Sequence, residues 1–198
     1  ERLLSILNQA NDVSVLSSEL RSKCTDWPST YHLSANRANL LRPFQALLSN
    51  ADVLEVGAGC GAITRFLGEC GANVLALEGS SRRARIAHAR TRDLETVEIL
   101  SENFDAFKID KKFDVITLIG VLEYANLFMS GEEPALTMLH HVKKMLKPNG
   151  KLIIAIENQL GLKYFAGAPE DHIGIPMYGL EGQYQANQAT TYGRKTLL

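Results

Sequence analysis

The stretch Val53-Leu54-Glu55-Val56-Gly57-Ala58-Gly59-Cys60-Gly61 decides the fold of this chain. Its first four residues form a short, mostly apolar run with β-branched side chains, which is typical of a buried strand. The glycines that follow allow a tight turn and a close approach of a ligand to the backbone. A helix is expected over residues 63–70, and its first N–H groups are available to polar or anionic ligand atoms. A strand, a glycine turn and a helix in this order predict a ligand-binding unit.

The same alternation continues along the chain. Four more strands are expected at residues 73–77, 96–100, 113–119 and 151–156. Further helices are expected at residues 80–94 and 132–146. Strands that alternate with helices and are apolar on both faces predict a parallel sheet covered by helices on both sides. Right-handed crossovers then give a doubly wound α/β fold, in which ligands bind beyond the carboxyl ends of the strands.

The flanking regions differ from this core. Residues 1–50 read as a helical segment in which Pro28 disfavours a helical Trp27. Ser34 is a plausible cap for a helix that Pro43 interrupts.

These patterns divide the chain into three segments. They are an N-terminal helical segment, a cofactor-binding core, and a substrate-side loop with the start of a further helix, at residues 1–50, 51–157 and 158–198. The chain begins at Glu1 rather than Met and stops within a helical pattern. We therefore expect a fragment of a longer protein, with other domains of the same chain as partners.

The composition of the chain argues against several classes of protein. The 198 residues contain 21 Lys and Arg against 22 Asp and Glu, so the net charge of −1 argues against a general nucleic-acid binder. No apolar stretch approaches the roughly 20 residues that span a bilayer, so no membrane insertion is expected. Three cysteines without a Cys-x-x-Cys pair indicate a reduced, cytoplasmic protein. No cysteine and histidine residues show metal-ligand spacing, so no metal site is expected.

An acidic residue follows the second strand. Glu78 lies 21 residues after Gly57 and can accept hydrogen bonds from both hydroxyls of a ribose. The arginines at positions 82, 83 and 85 suggest either a 2′-phosphate site, and hence NADP, or a solvated helix face. Glu78 would repel a 2′-phosphate, which favours the solvated face.

Polar residues also follow the later strands. After the third strand either Glu102 or Asn103 could bind an adenine amino group, and we favour Asn103; Phe104 packs either on the ring or in the core. After the fourth strand Gly120 lets the chain pass close to a ligand. Glu123 and Tyr124 are then expected at the mouth of the pocket, and Glu157 follows the fifth strand at the same edge.

Together these residues resemble the class I S-adenosylmethionine-dependent methyltransferases. The resemblance covers about residues 50–157, and its five motifs begin at Val53, Glu78, Asn103, Phe113 and Leu146. It implies a Rossmann-like sheet with strand order 3-2-1-4-5 and S-adenosylmethionine as the cofactor. It further implies that Glu55 orients the loop near the methionine amino group and that Glu78 holds the ribose. The cofactor-binding residues expected from it are Glu55, Gly57, Ala58, Gly59, Gly61, Glu78, Gly79, Asn103, Phe104 and Gly120.

Two departures from the family pattern matter. The Asp-Pro-Pro-Tyr-type tetrapeptide of enzymes that methylate amino groups of nucleic acids is absent after strand four, which argues against base methylation. The antiparallel strands six and seven that usually complete the family's sheet have no counterpart before the chain stops. We therefore expect five strands, all parallel.

Fewer residues of the sequence indicate how an acceptor is bound or activated. His172 lies in the loop after strand five and is our candidate general base for a hydroxyl acceptor. Tyr164, Phe165 and Tyr178 would suit stacking on a sugar or aromatic acceptor, or core packing. The motif around Tyr31 and His32 could close over the cofactor.

The expected activity is methyl transfer to a small-molecule or glycan acceptor, at a hydroxyl group. A more distant resemblance links the chain to methyltransferase domains found with glycosyltransferases of bacterial surface-polysaccharide synthesis. A nicotinamide-dependent oxidoreductase is an alternative, disfavoured because the loop reads Gly-x-Gly-x-Gly and no Tyr-x-x-x-Lys pair lies near strand five. A non-catalytic module that binds S-adenosylmethionine within a larger protein is another.

Overall fold

A five-stranded sheet organises the protein, which a computed structural model describes over residues 1–197. Its strands are parallel and follow the order β3-β2-β1-β4-β5, which confirms the doubly wound, Rossmann-like prediction. The strands are β1 Asp52–Val56, β2 Asn73–Leu77, β3 Val97–Leu100, β4 Phe113–Ile119 and β5 Leu146–Ala155. Within the described residues no sixth or seventh strand joins this sheet.

Ten α-helices accompany the sheet in residues 1–197. They are α1 Arg2–Gln9, α2 Ser18–Ser22, α3 Trp27–Leu33, α4 Gln45–Leu48, α5 Ala62–Glu69, α6 Ser81–Thr91, α7 Ala125–Phe128, α8 Pro134–Met145, α9 Leu162–Phe165 and α10 Arg194–Leu197. Short 3₁₀ helices span Ala35–Leu40, Arg42–Phe44 and Leu122–Tyr124. None of the helices described has the length and apolar character needed to cross a membrane.

The register of the sheet aligns the strand ends that matter for binding. Val56 at the end of β1 pairs with Leu77 at the end of β2, and Leu77 pairs with Leu100 at the end of β3. The loops that follow these three strands therefore begin at one level along one edge of the sheet. That edge is where the sequence places the expected cofactor residues.

The chain forms two compact units. The first contains Glu1–Thr117 and Met145–Ile153, and the second contains Leu118–Lys144 and the residues from Ile154 onward. The two units are defined by contacts in space and not by segments of the sequence. The predicted division into segments 1–50, 51–157 and 158–198 therefore stays a prediction.

In the first unit the N-terminal helices pack on α6. Leu7, Leu20 and Leu33 are almost fully buried and form one cluster with Ile86 of α6. Arg92 adds polar contacts, because its guanidinium donates to the carbonyl oxygens of Leu7 at 2.7 Å and Ala10 at 2.6 Å. The end of α1 is thus held both by apolar contacts and by an arginine.

A buried carboxylate organises the loop of the second unit. Glu170 is only 3% exposed and accepts hydrogen bonds from the backbone N–H groups of His172 at 2.7 Å and Ile173 at 2.6 Å. The Tyr184 hydroxyl donates to the same carboxylate at 3.1 Å. The long loop predicted after Asn158 therefore has a fixed turn at residues 170–173.

Two local predictions were wrong. Trp27 is helical, because Asp26 caps α3 and Pro28 lies in the first turn, where its missing N–H costs nothing. The helix predicted after Ser34 is present as a 3₁₀ helix, and Ser34 caps it. Strand β5 begins at Leu146 rather than Lys151, because it is an edge strand, where proline is tolerated.

Candidate functional site

The glycine loop between β1 and α5 is tied to the end of β2. The backbone N–H groups of Gly57 and Ala58 both donate to the carbonyl oxygen of Leu77 at 2.8 Å. Gly57 and Gly59 have φ angles of 80° and 57°, in the left-handed region that side chains disfavour. The turn therefore depends on glycine, as the sequence predicted from its spacing.

Gly61 at the start of α5 has a second constraint. Its φ angle is 83°, and a Cβ atom there would lie 2.8 Å from the Cα atom of Ala87 on α6. Only a residue without a side chain lets α5 approach α6 this closely. Gly61 thus has a packing role in the structure, and its predicted contact with the cofactor stays a prediction.

Glu78 connects the first two loops of the edge. Its side chain is 3% exposed, and Oε2 accepts a hydrogen bond from the Gly59 N–H at 2.8 Å. Oε1 accepts from the Ser80 N–H at 2.9 Å. One buried carboxylate thus orders the glycine loop and the start of α6, at the position where the sequence predicts a ribose-binding acid.

Arg83 also contacts this carboxylate, which the sequence did not anticipate. Its Nε atom donates to Glu78 Oε1 at 2.9 Å, and its Nη2 atom lies 2.8 Å from the same oxygen. The Arg83 side chain is half-exposed, so one face of the ion pair meets solvent. Arg83 is therefore not simply a solvated residue of the helix face, because it pairs with a buried acid. In this conformation its guanidinium is also occupied and does not form a 2′-phosphate site.

Asn103 reaches the loop after β2. A Cβ atom on Gly79 would lie 2.8 Å from Asn103 Oδ1, so the asparagine side chain packs directly against this glycine. Phe104 is buried at 9% exposure. The structure thus brings two of the expected cofactor residues, Gly79 and Asn103, together at the ends of β2 and β3. Their contact with adenine remains a prediction.

Glu55 is an acid buried within β1. Burial raises the pKa of Glu55 to about 7, and the nearby charge of Arg37 opposes this rise. Its Oε2 atom has no hydrogen-bond partner among the described residues. A buried carboxylate oxygen without a donor is costly, so this atom is suited to a donor supplied by a ligand.

The N-terminal segment brings a further charge to this region. The guanidinium of Arg37 lies 4.3 Å from the centre of the Tyr31 ring, and Tyr31 meets His32 edge to face at 4.9 Å. Burial lowers the pKa of His32, and the Arg37 charge lowers it further. The charge of Arg37 thus acts on both Glu55 and His32. Tyr31 and His32 were predicted from the sequence, whereas Arg37 in the following 3₁₀ helix carried no signal there.

The second unit contains the remaining predicted residues. Gly120 has a φ angle of 66° and its N–H donates to the Ala155 carbonyl oxygen at 2.9 Å. Its role toward the cofactor stays a prediction. Glu123 follows in a 3₁₀ turn and is 2% exposed.

Glu123, Glu157 and His172 come together from three separate segments, and we call them the carboxylate–histidine cluster. One ligand atom from each residue lies within 4.8 Å of the other two. His172 Nε2 is 3.9 Å from Glu157 Oε2, which is too long for a hydrogen bond. On the other side of the ring, His172 Nδ1 is 3.2 Å from the Tyr124 hydroxyl.

The aromatic residues expected to stack on an acceptor divide by exposure. Tyr164 is buried and donates to Asp171 at 2.5 Å, and burial and Asp171 raise its pKa above the usual value. Tyr178 donates to Gln188 at 2.9 Å. Phe165 is 64% exposed, so of the three it has the ring surface most open to solvent.

The cysteine in the glycine loop is buried. Cys60 is 5% exposed, and burial raises the pKa of its thiol, which disfavours the reactive thiolate.

Comparisons with known proteins agree with this architecture. The family described as "Methyltransferase domain" matches residues 54–152, which is half of the chain. A ubiquinone biosynthesis O-methyltransferase from Hydrogenovibrio crunogenus is 22% identical over 155 residues, covering 77% of this chain and 61% of the relative. A demethylmenaquinone methyltransferase from Tropheryma whipplei is 31% identical over 103 residues, covering 52% of this chain and 40% of the relative. The chain thus spans 40% to 61% of the length of these relatives.

Solved structures give the same fold. The N-methyltransferase NodS from Bradyrhizobium japonicum, in complex with S-adenosyl-L-homocysteine, aligns with a TM-score of 0.57 at 20% identity, covering 83% of this chain and 76% of that chain. Coclaurine N-methyltransferase bound to N-methylheliamine and S-adenosylhomocysteine aligns with a TM-score of 0.54 at 17% identity, covering 77% and 48%. The cofactor that accompanies this family and fold is S-adenosylmethionine. The glycine loop, the strand order and the match over residues 54–152 lead to one conclusion: the chain belongs to the methyltransferase domain family.

Proposed function

We propose that the chain transfers a methyl group from S-adenosylmethionine to a hydroxyl group of a small-molecule or glycan acceptor. One observation supports this proposal above all. The buried Glu78 carboxylate is joined to Gly59 of the glycine loop at the aligned ends of β1 and β2. That is where a nucleoside cofactor binds in a doubly wound sheet.

The residues of the first unit fit S-adenosylmethionine. The partnerless Oε2 atom of Glu55 suits the methionine ammonium group, which would supply the missing donor. Glu78 suits the ribose hydroxyls, and Asn103 beside Gly79 suits the adenine. The left-handed turn at Gly57 and Gly59 lets the methionine portion approach the backbone.

Binding and orientation are the main tasks of these residues. When it is bound, S-adenosylmethionine supplies a methyl group on a positively charged sulfur, and this sulfur becomes the neutral thioether of the leaving group. Glu55 and Glu78 would each fix one end of the cofactor, which sets the direction of the methyl group. Alignment of two reactants contributes much of the rate in a displacement of this kind.

The second unit is proposed to act on the acceptor. A hydroxyl group has a high pKa and must lose its proton for methyl transfer, so it benefits from a group that promotes this loss. We assign this task to His172, whose ring is held by the Tyr124 hydroxyl at Nδ1. The name of one relative, a ubiquinone biosynthesis O-methyltransferase, supports an oxygen acceptor. The name of the other, a demethylmenaquinone methyltransferase, supports a small-molecule acceptor.

Several finer points stay within the proposal. A glycan acceptor, a role in surface-polysaccharide synthesis, further domains and a cytoplasmic location have only the sequence as support. An NADP-dependent form of the oxidoreductase alternative is disfavoured further, because Glu78 lies beside Arg83 and would repel a 2′-phosphate. A module that binds the cofactor without turnover is distinguished from an enzyme only by assay.

The test is methyl transfer measured with S-adenosylmethionine labelled in its methyl group. The protein is incubated with hydroxylated quinone precursors, phenols and sugars. We expect label in at least one acceptor, and His172→Ala should lose transfer while keeping its affinity for S-adenosylmethionine. His140→Ala, at an exposed position on α8, is the matched control. Full transfer by His172→Ala would exclude the proposed role of His172.

A further inference from the structure

The carboxylate–histidine cluster has a composition that the predicted base chemistry does not explain. Two carboxylates and one imidazole converge from the turn after β4, the segment after β5 and the loop at residues 170–173. A histidine acting alone as a base needs one orienting partner, and His172 already has one in Tyr124. A base role for His172 therefore does not explain the two carboxylates on the opposite side of its ring.

The cluster is held in place by hydrogen bonds and is partly buried. Glu123 is 2% exposed, and the side chains of His172 and Glu157 are 13% and 40% exposed. The turn at Glu170 fixes the backbone of His172, and the Tyr124 hydroxyl fixes its ring. His172 Nε2 and Glu157 Oε2 are buried and have no hydrogen-bond partner among the described residues. Two such atoms 3.9 Å apart can be satisfied together by one group placed between them.

The spacing fits a divalent cation as that group. Metal–nitrogen and metal–oxygen bonds of about 2.0 to 2.2 Å place neighbouring ligand atoms roughly 3 to 4 Å apart around one ion. The observed 3.9 Å falls in this range, and a carboxylate oxygen of Glu123 lies within 4.8 Å of the ligand atoms of the other two residues. A hydrogen bond to the second nitrogen of a ligating histidine is the usual support for such a ring, and Tyr124 supplies it.

We propose that Glu123, Glu157 and Nε2 of His172 bind a divalent transition-metal cation. One nitrogen and two carboxylate ligands suit Mn²⁺, Fe²⁺ or Zn²⁺, and three protein ligands leave coordination positions open. The function of the ion rests on the proposed methyl transfer: an acceptor hydroxyl on the ion ionises more readily, and its proton leaves to solvent. In this form His172 promotes the loss of the proton through the ion that its Nε2 holds, in place of the metal-free site expected from the sequence.

Sequence spacing could not reveal this site. Its ligands lie at positions 123, 157 and 172, and metal motifs read from sequence depend on ligands a few residues apart. Only the order of the strands places the turn after β4 beside the segment after β5.

The experiment measures metal binding separately from activity. Full-length protein is dialysed against a chelator and titrated with Mn²⁺ by calorimetry, and bound Mn²⁺ is followed by electron paramagnetic resonance. We expect one ion per chain at micromolar affinity. His172→Ala and Glu157→Gln should each weaken binding at least about tenfold, whereas His140→Ala and Glu181→Gln, at exposed positions, should not. Circular dichroism confirms that each variant is folded, and Glu157→Gln preserves side-chain shape.

The outcomes separate this proposal from the proposed function. If Mn²⁺, Zn²⁺ and Co²⁺ all bind no better to the chain than to folded His172→Ala, the site is excluded, whatever the activity. If Mn²⁺ binds as expected while S-adenosylmethionine does not, the metal site stands and the methyltransferase proposal fails. If both bind and chelation abolishes transfer until Mn²⁺ is restored, both proposals are supported.

Discussion

Arg83 and Glu78 form an ion pair at the aligned ends of the first two strands, with Nε 2.9 Å from Oε1. A carboxylate offers about four lone-pair positions, and Glu78 already accepts from Gly59, Ser80 and Arg83. Two ribose hydroxyls therefore compete with Arg83 for Oε1. The Arg83 side chain is half-exposed and can turn to solvent, which would leave that oxygen to the ribose.

Removal of this competition should strengthen cofactor binding. For Arg83→Ala we expect the affinity for S-adenosylmethionine to rise by up to about fivefold, or about 1 kcal/mol, because an acceptor position on Oε1 of Glu78 is left to a ribose hydroxyl. Calorimetric titration of the variant measures this, and Arg82→Ala on the same exposed turn is the control. A weaker affinity in Arg83→Ala alone would mean that Arg83 orients Glu78 for the ribose.

Gly61 should be far less tolerant of alanine than Gly71. Both have left-handed φ angles, 83° and 81°, but only at Gly61 does a Cβ atom meet backbone, at 2.8 Å from the Cα atom of Ala87. Gly71→Ala should lower the free energy of unfolding by about 1 kcal/mol from backbone strain alone. Gly61→Ala should lower it by about 2 to 4 kcal/mol because overpacking is added. Urea unfolding of the two variants tests this, and equal losses would contradict the close contact of α5 with α6.

The buried acid in β1 should make stability depend on pH. The unfolded carboxyl has a pKa near 4.5, whereas burial raises the pKa of Glu55 to about 7 in the folded protein. Between these values the unfolded chain releases a proton that the folded chain keeps, so this group's contribution to stability falls as pH rises and is constant above pH 7. The loss amounts to about 3 kcal/mol.

Glu55→Gln isolates this effect, because glutamine has the same shape and does not titrate. The free energy of unfolding of the variant minus that of the wild type should grow from pH 4.5 to pH 7 and then stay level. Chemical denaturation at several pH values gives this difference. A difference that does not change with pH would show that Glu55 is not held as a buried acid.

Arg92 should matter for the N-terminal segment. Its guanidinium donates to the carbonyl oxygens of Leu7 and Ala10 at the end of α1. Arg92→Met should lower the free energy of unfolding by about 1 to 2 kcal/mol, because charged donors to these carbonyls are lost. It should also speed hydrogen exchange in α1. Arg85→Met, at an exposed position of α6, should change neither quantity, and an equal effect there would argue against the specific contact.

The fold was largely predictable, because it depends on strands that are apolar on both faces. Strands β2 and β4 have the predicted bounds, and the glycine loop lies where its spacing placed it. The errors arose where the usual effect of proline on secondary structure is offset, either by a helix cap or by a position in an edge strand. Trp27 is helical because Asp26 caps the helix, and β5 begins early because proline is tolerated at the sheet edge.

The site was predictable only in part. The expected positions of Glu78 and Asn103 follow from strand order, since the residue after each parallel strand lies at one edge. The Arg83 ion pair and the convergence of His172 with Glu157 depend on side-chain rotamers and on a loop fold. Neither has a periodic signal in the sequence.

A single calorimetric titration tests the proposed role of Glu78 as the ribose-binding acid. The wild-type chain and Glu78→Gln are titrated with S-adenosylmethionine and S-adenosylhomocysteine, with NADPH as the control ligand and Glu98→Gln, at an exposed position, as the control variant. We predict micromolar binding of both adenosyl ligands to the wild type and a loss of at least about tenfold in Glu78→Gln, because hydrogen bonds to a charged group contribute about 1.5 to 3 kcal/mol each. Binding of NADPH alone, or unchanged affinity in folded Glu78→Gln, would contradict the account.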